Sequence, residues 1–408
     1  MLLLGATAAQ ADPASLSVAI ASGDTEALAA LAQTHAPANE VRLAHGALAA
    51  LHRDDDAAMT DLRAAAADAT LTPELRRRAF IALSGIYMRQ SRFAEATDAA
   101  AAAEAQAPDP DPKAETDAMQ SLEFSRALVS VAPMRVDVSA GETPIHRDIA
   151  RLARADVSIN GQTQESVLDT GAGYSTIVES AAQRLGLRML DAHVTVKSSA
   201  SDAVPARLGV ADTLSFAGGT FHDVVFIVLP DDALSFANGL YRIDAIVGLP
   251  VLMQFGRLEF LKAGEGEVLR HERSPHARGA DSNLTLDALQ PIALVRAQGA
   301  DHPLRMLIDT GARNTSLSRS ATDAFPALAT DAVAQATTVG GAGGTRTHAD
   351  ALSIPHITFD VEGVSVTLND IHVLNDGEHR HGTIGQDLLR SGGGYVIDFD
   401  AMRFEVLR

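Results

Sequence analysis

The 408-residue chain contains no cysteine. That single absence removes disulfides, thiolate zinc sites and cysteine nucleophiles together. It leaves an oxidising compartment open, because a protein living there can simply avoid thiols. Basic charge is in short supply: 33 Lys and Arg stand against 52 Asp and Glu, for a formal net charge of −19. This balance argues against nucleic acid or an anionic membrane surface as a partner. No stretch approaches the ~18 consecutive apolar residues of a bilayer span, so no membrane span is expected.

What the chain does have is a long internal repeat. Val167-Leu168-Asp169-Thr170-Gly171-Ala172 is followed by Ser175-Thr176-Ile177, and Leu307-Ile308-Asp309-Thr310-Gly311-Ala312 by Thr315-Ser316-Leu317. One Asp-Thr-Gly alone is weak, since Asp and Gly are ordinary turn formers. The repeat, however, extends in both directions. Ala245-Ile246-Val247-Gly248-Leu249-Pro250 lies downstream of the first copy, and Thr383-Ile384-Gly385-Gln386-Asp387-Leu388 downstream of the second. Asp169 and Gly248 are 79 positions apart, Asp309 and Gly385 76. Upstream, each copy reads as strand, turn, strand, with Asn160-Gly161 and Gln298-Gly299 at the turns; Asn-Gly between apolar runs is a strong hairpin signal. A unit of this size occurring twice implies two similar lobes.

At these residues the chain resembles aspartic peptidases of the retropepsin and pepsin clan, over roughly 131–408. Both halves of the site lie in one chain, as in pepsin, whereas the Ala after each Asp-Thr-Gly and the short lobes are retropepsin-like. The resemblance implies a multidomain α and β protein. An N-terminal helical repeat-like domain would precede two mainly-β lobes related by pseudo-twofold symmetry. The expected divisions are a signal remnant at 1–11, a helical domain at 12–130, lobes at 131–261 and 283–408, and a solvated connection at 262–282.

The first eleven residues run through a short apolar stretch to Ala9-Gln10-Ala11, an A-x-A cleavage pattern. This resembles the back half of a secretory signal and predicts an exported protein, periplasmic or secreted. From 12 to about 131 the chain is Ala-rich with helical spacing. Helices are expected near 24–34, 40–52, 56–68, 73–90, 92–106 and 113–130, with Thr72-Pro73-Glu74 as a helix start. The segment from Ala82 to Pro108 resembles a tetratricopeptide repeat, small residues letting paired helices approach closely. Such a stack is either a groove for a protein partner or a helical cap. Arg76-Arg77-Arg78 reads as a solvated face.

In the lobes, strands are expected at 221–229, 284–289, 292–295, 364–368 and 371–374, with short helices at 178–187 and 318–325. The Gly-rich run 337–347 lacks the Lys-Ser/Thr of a phosphate loop. Its place in the repeat matches 194–210 of the first lobe, where the family has a flap over the substrate; glycines suit a mobile hairpin tip. His379-Arg380-His381, with His372 upstream, has no spacing that supports a metal site.

The resemblance assigns catalysis to Asp169 and Asp309, and the support of their geometry to Thr170, Gly171, Thr310 and Gly311. Substrate-covering flap positions fall at Ser199, Ala200, Gly341 and Gly343. It implies an endopeptidase acting on a protein or peptide, without metal or cofactor, through a water activated between two aspartates. A non-catalytic peptide-binding protein on the same fold is the alternative. Ala172 and Ala312 stand where pepsin-like enzymes often carry Ser, so a hydroxyl that would favour the charged carboxylate is missing, and a less acidic optimum than pepsin's is expected. Pro250 departs from the Asp or Asn common at that place, while Asp387 keeps it.

Overall fold

The computed structural model describes residues 13–408 except 35, 110, 265, 275, 276, 280 and 281; the expected signal remnant at 1–11 lies outside the described residues. The chain forms an N-terminal helical region followed by two β-barrel lobes. It divides into two compact units, one running to Ser130 and taking in Leu286–Ala288, the other Val131–Thr285 with Leu289–Arg408.

In the helical unit the described residues form α1 (Pro13–Ser22), α2 (Thr25–Ala32), α3 (Ala38–Leu51), α4 (Asp55–Ala67), α5 (Pro73–Arg89), α6 (Phe93–Glu104) and α7 (Pro112–Leu128). The starts follow capping chemistry. Thr72 Oγ1 accepts from the Leu75 N–H at 3.3 Å, Asp24 from Ala27 at 2.9 Å and Asp111 from Lys113 at 2.9 Å, each satisfying a first-turn donor. Consecutive helices pack on a core of Leu28, Leu43, Leu62, Leu75, Leu83 and Ile86, each side chain contributing roughly 2 kcal/mol on burial. Alanines and Gly46 let the helices close up; a Cβ on Gly46 would meet Leu62 Cγ at 3.0 Å. Helix α1 was not expected, since its ten residues carry only a short apolar pattern.

The reading of Arg76-Arg77-Arg78 as a solvated face is corrected. Arg77 is 1% exposed and pairs with Glu104 at 3.1 Å and Glu115 at 2.6 Å, while Arg78 pairs with Asp109 at 2.7 Å. Acidic partners more than 25 residues away neutralise the buried guanidinium, a pairing that helical spacing alone cannot show.

The β unit contains two closed six-stranded barrels with the same order of strands. The first runs Ala153–Ile159, Gln162–Leu168, Ala245–Val247, Ser175–Val178, Gly219–Leu229, Val204–Phe216 and back to Ala153–Ile159. The second runs Gln290–Ala297, Leu304–Ile308, Gly382–Ile384, Ser316–Ser318, Val364–Leu374, Leu352–Val361 and back to Gln290–Ala297. Asn160 (φ 49°) and Gly161 (φ 78°) make the tight turn between the first two strands, a left-handed pair that Asn-Gly adopts readily. Alternating residues fill each barrel: Val157, Ile159, Leu208 and Phe226 in one, Val295, Met306, Ile308 and Phe359 in the other.

Further strands join the lobes, and here several sequence expectations are corrected. The connection 262–282 is not solvated loop throughout: Gly266–Glu272 is a strand between Arg257–Ala263 and Gly141–Arg147. Its glycines and charges concealed alternation, with Leu269 and His271 buried. The final hairpin, Gly394–Asp398 and Arg403–Leu407, read as the end of the second lobe, pairs with Arg257–Ala263 of the first. Tyr395 stacks on Phe260 there, centroids 4.5 Å apart. Two strands expected at 364–368 and 371–374 are one, Val364–Leu374. Asp370 has φ 55° and stands opposite Pro355, which has no N–H to pair, yet Ile354–Ile371 and His356–Asn369 keep one register on either side, so Asn369-Asp370 is a local break in pairing and not a turn. That same Pro concealed the partner strand Leu352–Val361.

Candidate active site

Each Asp-Thr-Gly ends a barrel strand. The Asp169 N–H donates to the Val247 carbonyl at 3.0 Å, and the Asp309 N–H to Ile384 at 3.1 Å, so each aspartate is the last residue held by the parallel pairing. The chain then turns back. Gly171 donates to Asp169 Oδ1 at 2.8 Å and Gly311 to Asp309 Oδ1 at 2.8 Å. The downstream glycines close the loops: Leu249 N–H donates to Ala172 O and Gln386 N–H to Ala312 O, both at 2.9 Å. A Cβ on Gly248 would sit 2.7 Å from Ser175 N, and one on Gly385 2.6 Å from Asn314 O. Only glycine fits such an approach.

The two loops meet. A Cβ on Gly171 would lie 2.6 Å from Asp309 Oδ1, and one on Gly311 2.6 Å from Asp169 Oδ1. Each glycine therefore clears space for the opposite carboxylate, and the side chains of Asp169 and Asp309 are within hydrogen-bonding reach of one another. Thr170 and Thr310, both 0% exposed, tie the loops across the lobe boundary. Each backbone N–H donates to the other's hydroxyl, at 3.0 and 3.1 Å. Each hydroxyl donates to the carbonyl before the other aspartate, Thr170 to Ile308 at 2.6 Å and Thr310 to Leu168 at 2.7 Å. Four buried bonds leave the motif pair little freedom to separate.

Both aspartates keep some exposed surface, yet they stand deep between the lobes. Burial raises the pKa of Asp169; burial, and then the facing charge of Asp169, raise that of Asp309 well above the carboxylate range. The backbone treats the two differently. Asp169 Oδ1 accepts from both Gly171 and Ala172, the latter at 3.2 Å, whereas the Ala312 N–H donates to the Asp309 main-chain carbonyl. Two close carboxylates cannot both ionise cheaply, so the pair holds one proton between them over a broad range. Such a pair can activate a bound water and hydrogen-bond a substrate carbonyl at once.

The flap positions also come together. Residues 198–203 cap the strands Arg188–Val196 and Val204–Phe216, and Thr337–Gly341 pairs with Gly344–His348 as a second hairpin. The tips touch: Ser198 Oγ donates to Ala342 O at 2.6 Å, Ser199 Oγ to Gly340 O at 3.0 Å, and Arg346 pairs with Asp202 at 2.7 Å. A Cβ on Gly341 would meet the Ala200 N at 3.0 Å, and one on Gly343 the Val204 side chain at 3.0 Å. Gly343 itself has φ 85° and its N–H donates to Ala233 O at 2.8 Å. Loop 231–241 therefore braces the second tip, a contact the sequence did not suggest.

Asp387 accepts from the Thr315 N–H at 2.8 Å and the Thr315 hydroxyl at 2.6 Å, holding the turn after Asp309. In the first lobe Pro250 stands at that place in the short helix Leu249–Leu252, and Ser175 Oγ takes only the Gly248 N–H at 3.1 Å. Among the described residues no three His, Asp or Glu side chains are arranged to hold a metal. His381 is occupied structurally, its Nδ1 accepting from the Arg305 N–H at 3.1 Å and its ring edge-on to Phe325. Sequence reading gave Gln386 no role, yet this residue is 1% exposed and its Nε2 donates to the Thr310 carbonyl at 2.8 Å. A polar residue in the place held by Leu249 in the other copy was the available signal.

A family model for aspartyl proteases matches residues 155–251 and, separately, 295–388. Each match falls on one barrel and spans its Asp-Thr-Gly and its downstream glycine. This is a two-lobed aspartic-protease fold. The match supports protease function, and a protein substrate with it. No curated protein matches the chain. Among the described residues, no helix is long and apolar enough to cross a membrane.

Proposed function

We propose that the protein is an aspartic endopeptidase in which Asp169 and Asp309 share one proton across a bridging water. The observation that carries this reading is the reciprocal fit of each motif's glycine to the other motif's carboxylate. The ionised member, favoured at Asp169 by its two backbone donors, takes a proton from the water. The water oxygen attacks the peptide carbonyl carbon, and the protonated Asp309 supports the developing oxyanion. The tetrahedral species collapses as the leaving nitrogen gains a proton from the pair, and the C–N bond breaks. Ser199, Ala200, Gly341 and Gly343 cover the substrate from the two tips, an arrangement of paired flaps that is retropepsin-like although both lobes share one chain.

The helical unit is proposed as a tetratricopeptide-like stack that engages a protein partner, and the protein as exported to the periplasm or beyond. The mechanism is tested by adding a strong amine nucleophile during turnover. Direct attack by water predicts hydrolysis products alone. Product carrying the amine at the new carboxyl end would reveal an acyl-enzyme and overturn the reading.

A further inference from the structure

A half-buried polar chain, ending on the buried Gln386, runs from the sheet that joins the lobes to the Asp309 loop. Arg147, the last residue of Gly141–Arg147, meets Glu267 Oε2 through Nε at 2.8 Å and Nη2 at 2.7 Å. Arg390 meets the other oxygen of Glu267 at 2.6 Å. Burial pushes the Glu267 pKa up, but Arg147 and Arg390 more than offset it, and the carboxyl is held below its usual range. Arg147 Nη1 donates to Gln386 Oε1 at 2.9 Å, and Gln386 Nε2 donates to the Thr310 carbonyl at 2.8 Å. The carboxamide is thereby oriented at both ends.

The last step matters most. The Thr310 carbonyl and the Gly311 N–H belong to one peptide group, and that N–H donates to Asp309 Oδ1 at 2.8 Å. Peptide planarity couples the two: a donor fixing the carbonyl fixes the direction of the N–H. A cation at the head of a hydrogen-bond chain also polarises each bond after it. The first lobe differs. Leu249 holds the matching backbone bond to Ala172, but its side chain has no polar atom to offer Thr170.

We propose that Gln386, anchored by Arg147 and Glu267, is a positioning residue that fixes the Thr310–Gly311 peptide and so holds the Gly311 N–H on the aspartate pair at Asp309. Its kinetic consequence rests on the peptidase reading; its geometric content does not. Asp169 faces Asp309 directly, and the positive field of Arg380 reaches it and favours its charge.

The test uses the full chain and three variants: Gln386→Leu, which copies the first lobe; Gln386→Glu, which keeps volume and the Arg147 contact but, ionised, cannot donate to Thr310; and Asp309→Asn as the inactive reference. The expected result for both Gln386 variants is a fall in kcat of about tenfold, the scale of one hydrogen bond to a charged group, with KM nearly unchanged. The basic limb of the pH profile should move upward, because Asp309 loses support for its charge, while the acid limb stays. Unchanged kcat with unmoved limbs overturns the proposal. Independently of turnover, the Gly311 amide proton of 15N-labelled protein should move upfield in both Gln386 variants. An unmoved Gly311 resonance also overturns it, even if the variants are slow. Should the wild type cleave nothing, the peptidase reading fails and the amide resonance alone decides the positioning claim.

Discussion

Thr170 and Thr310 hold each other: the N–H of each donates to the hydroxyl of the other, at 3.0 and 3.1 Å, with both side chains fully buried. Replacing Thr170 by Val keeps the shape but strands the Thr310 N–H and the Ile308 carbonyl. Each unsatisfied buried group costs about 1–3 kcal/mol, so Thr170→Val should lose roughly 2–4 kcal/mol in denaturant melts, whereas Thr170→Ser should lose far less. Equal stability of Thr170→Val and wild type would refute the role given to these hydroxyls.

Gly171 and Gly311 each leave room for the opposite carboxylate. Gly311→Ala should push Asp169 away and lower kcat/KM by about a hundredfold or more, the range for losing a positioned acid–base group. The substitution lies in a loop at an ordinary backbone conformation, so the melting temperature should move by only about 2–4 °C, as for a change near 1 kcal/mol in a unit of this size. An active Gly311→Ala enzyme would mean that the aspartates do not work as a pair.

The raised pKa values of Asp169 and Asp309 carry a sign. Groups with raised pKa keep their proton to higher pH, so the singly protonated pair persists upward and the basic limb of kcat/KM moves with it. Ala172 and Ala312 supply no hydroxyl to oppose this. The optimum is therefore expected above about pH 4, the unperturbed Asp value. A profile peaking well below that would count against the account.

His271 should make the fold sensitive to mild acid. Its ring is 1% exposed, against Phe255 at 4.2 Å, with Nε2 on the Ala217 carbonyl. Burial pushes its pKa down, so the folded protein keeps it neutral while the unfolded chain takes a proton near pH 6.5. The unfolded state binds more protons below that point, so stability is complete above about pH 6.5 and falls as pH drops towards the lower folded value. Urea midpoints of wild type and His271→Gln, compared between about pH 7.5 and 5, should converge as pH falls. A constant difference across that window would dismiss the imidazole as the cause.

The parts legible in sequence were those that repeat. Asp169 and Asp309, their threonines and glycines, and the hairpin tips at Ser199 and Gly341 stood out because two copies reinforced each other, and the strand Leu304–Ile308 was marked by the repeated strand–turn–strand pattern ahead of Asp309. Less legible were features that need distant partners. Glu267 reads as one more charge in a polar run until Arg147 and Arg390 converge on it. Arg77 reads as surface until Glu104 and Glu115 arrive. The final hairpin belongs with Arg257–Ala263 by hydrogen bonding, and nothing local in 394–407 announces that partner.

The most direct measurement is digestion of a mixed peptide library across pH by the wild-type protein, Asp169→Asn and Asp309→Asn. The account predicts defined cleavage sites for the wild type and loss of cleavage in both variants. Cleavage by either variant at the wild-type rate, or no cleavage by the wild type at any pH, would contradict it.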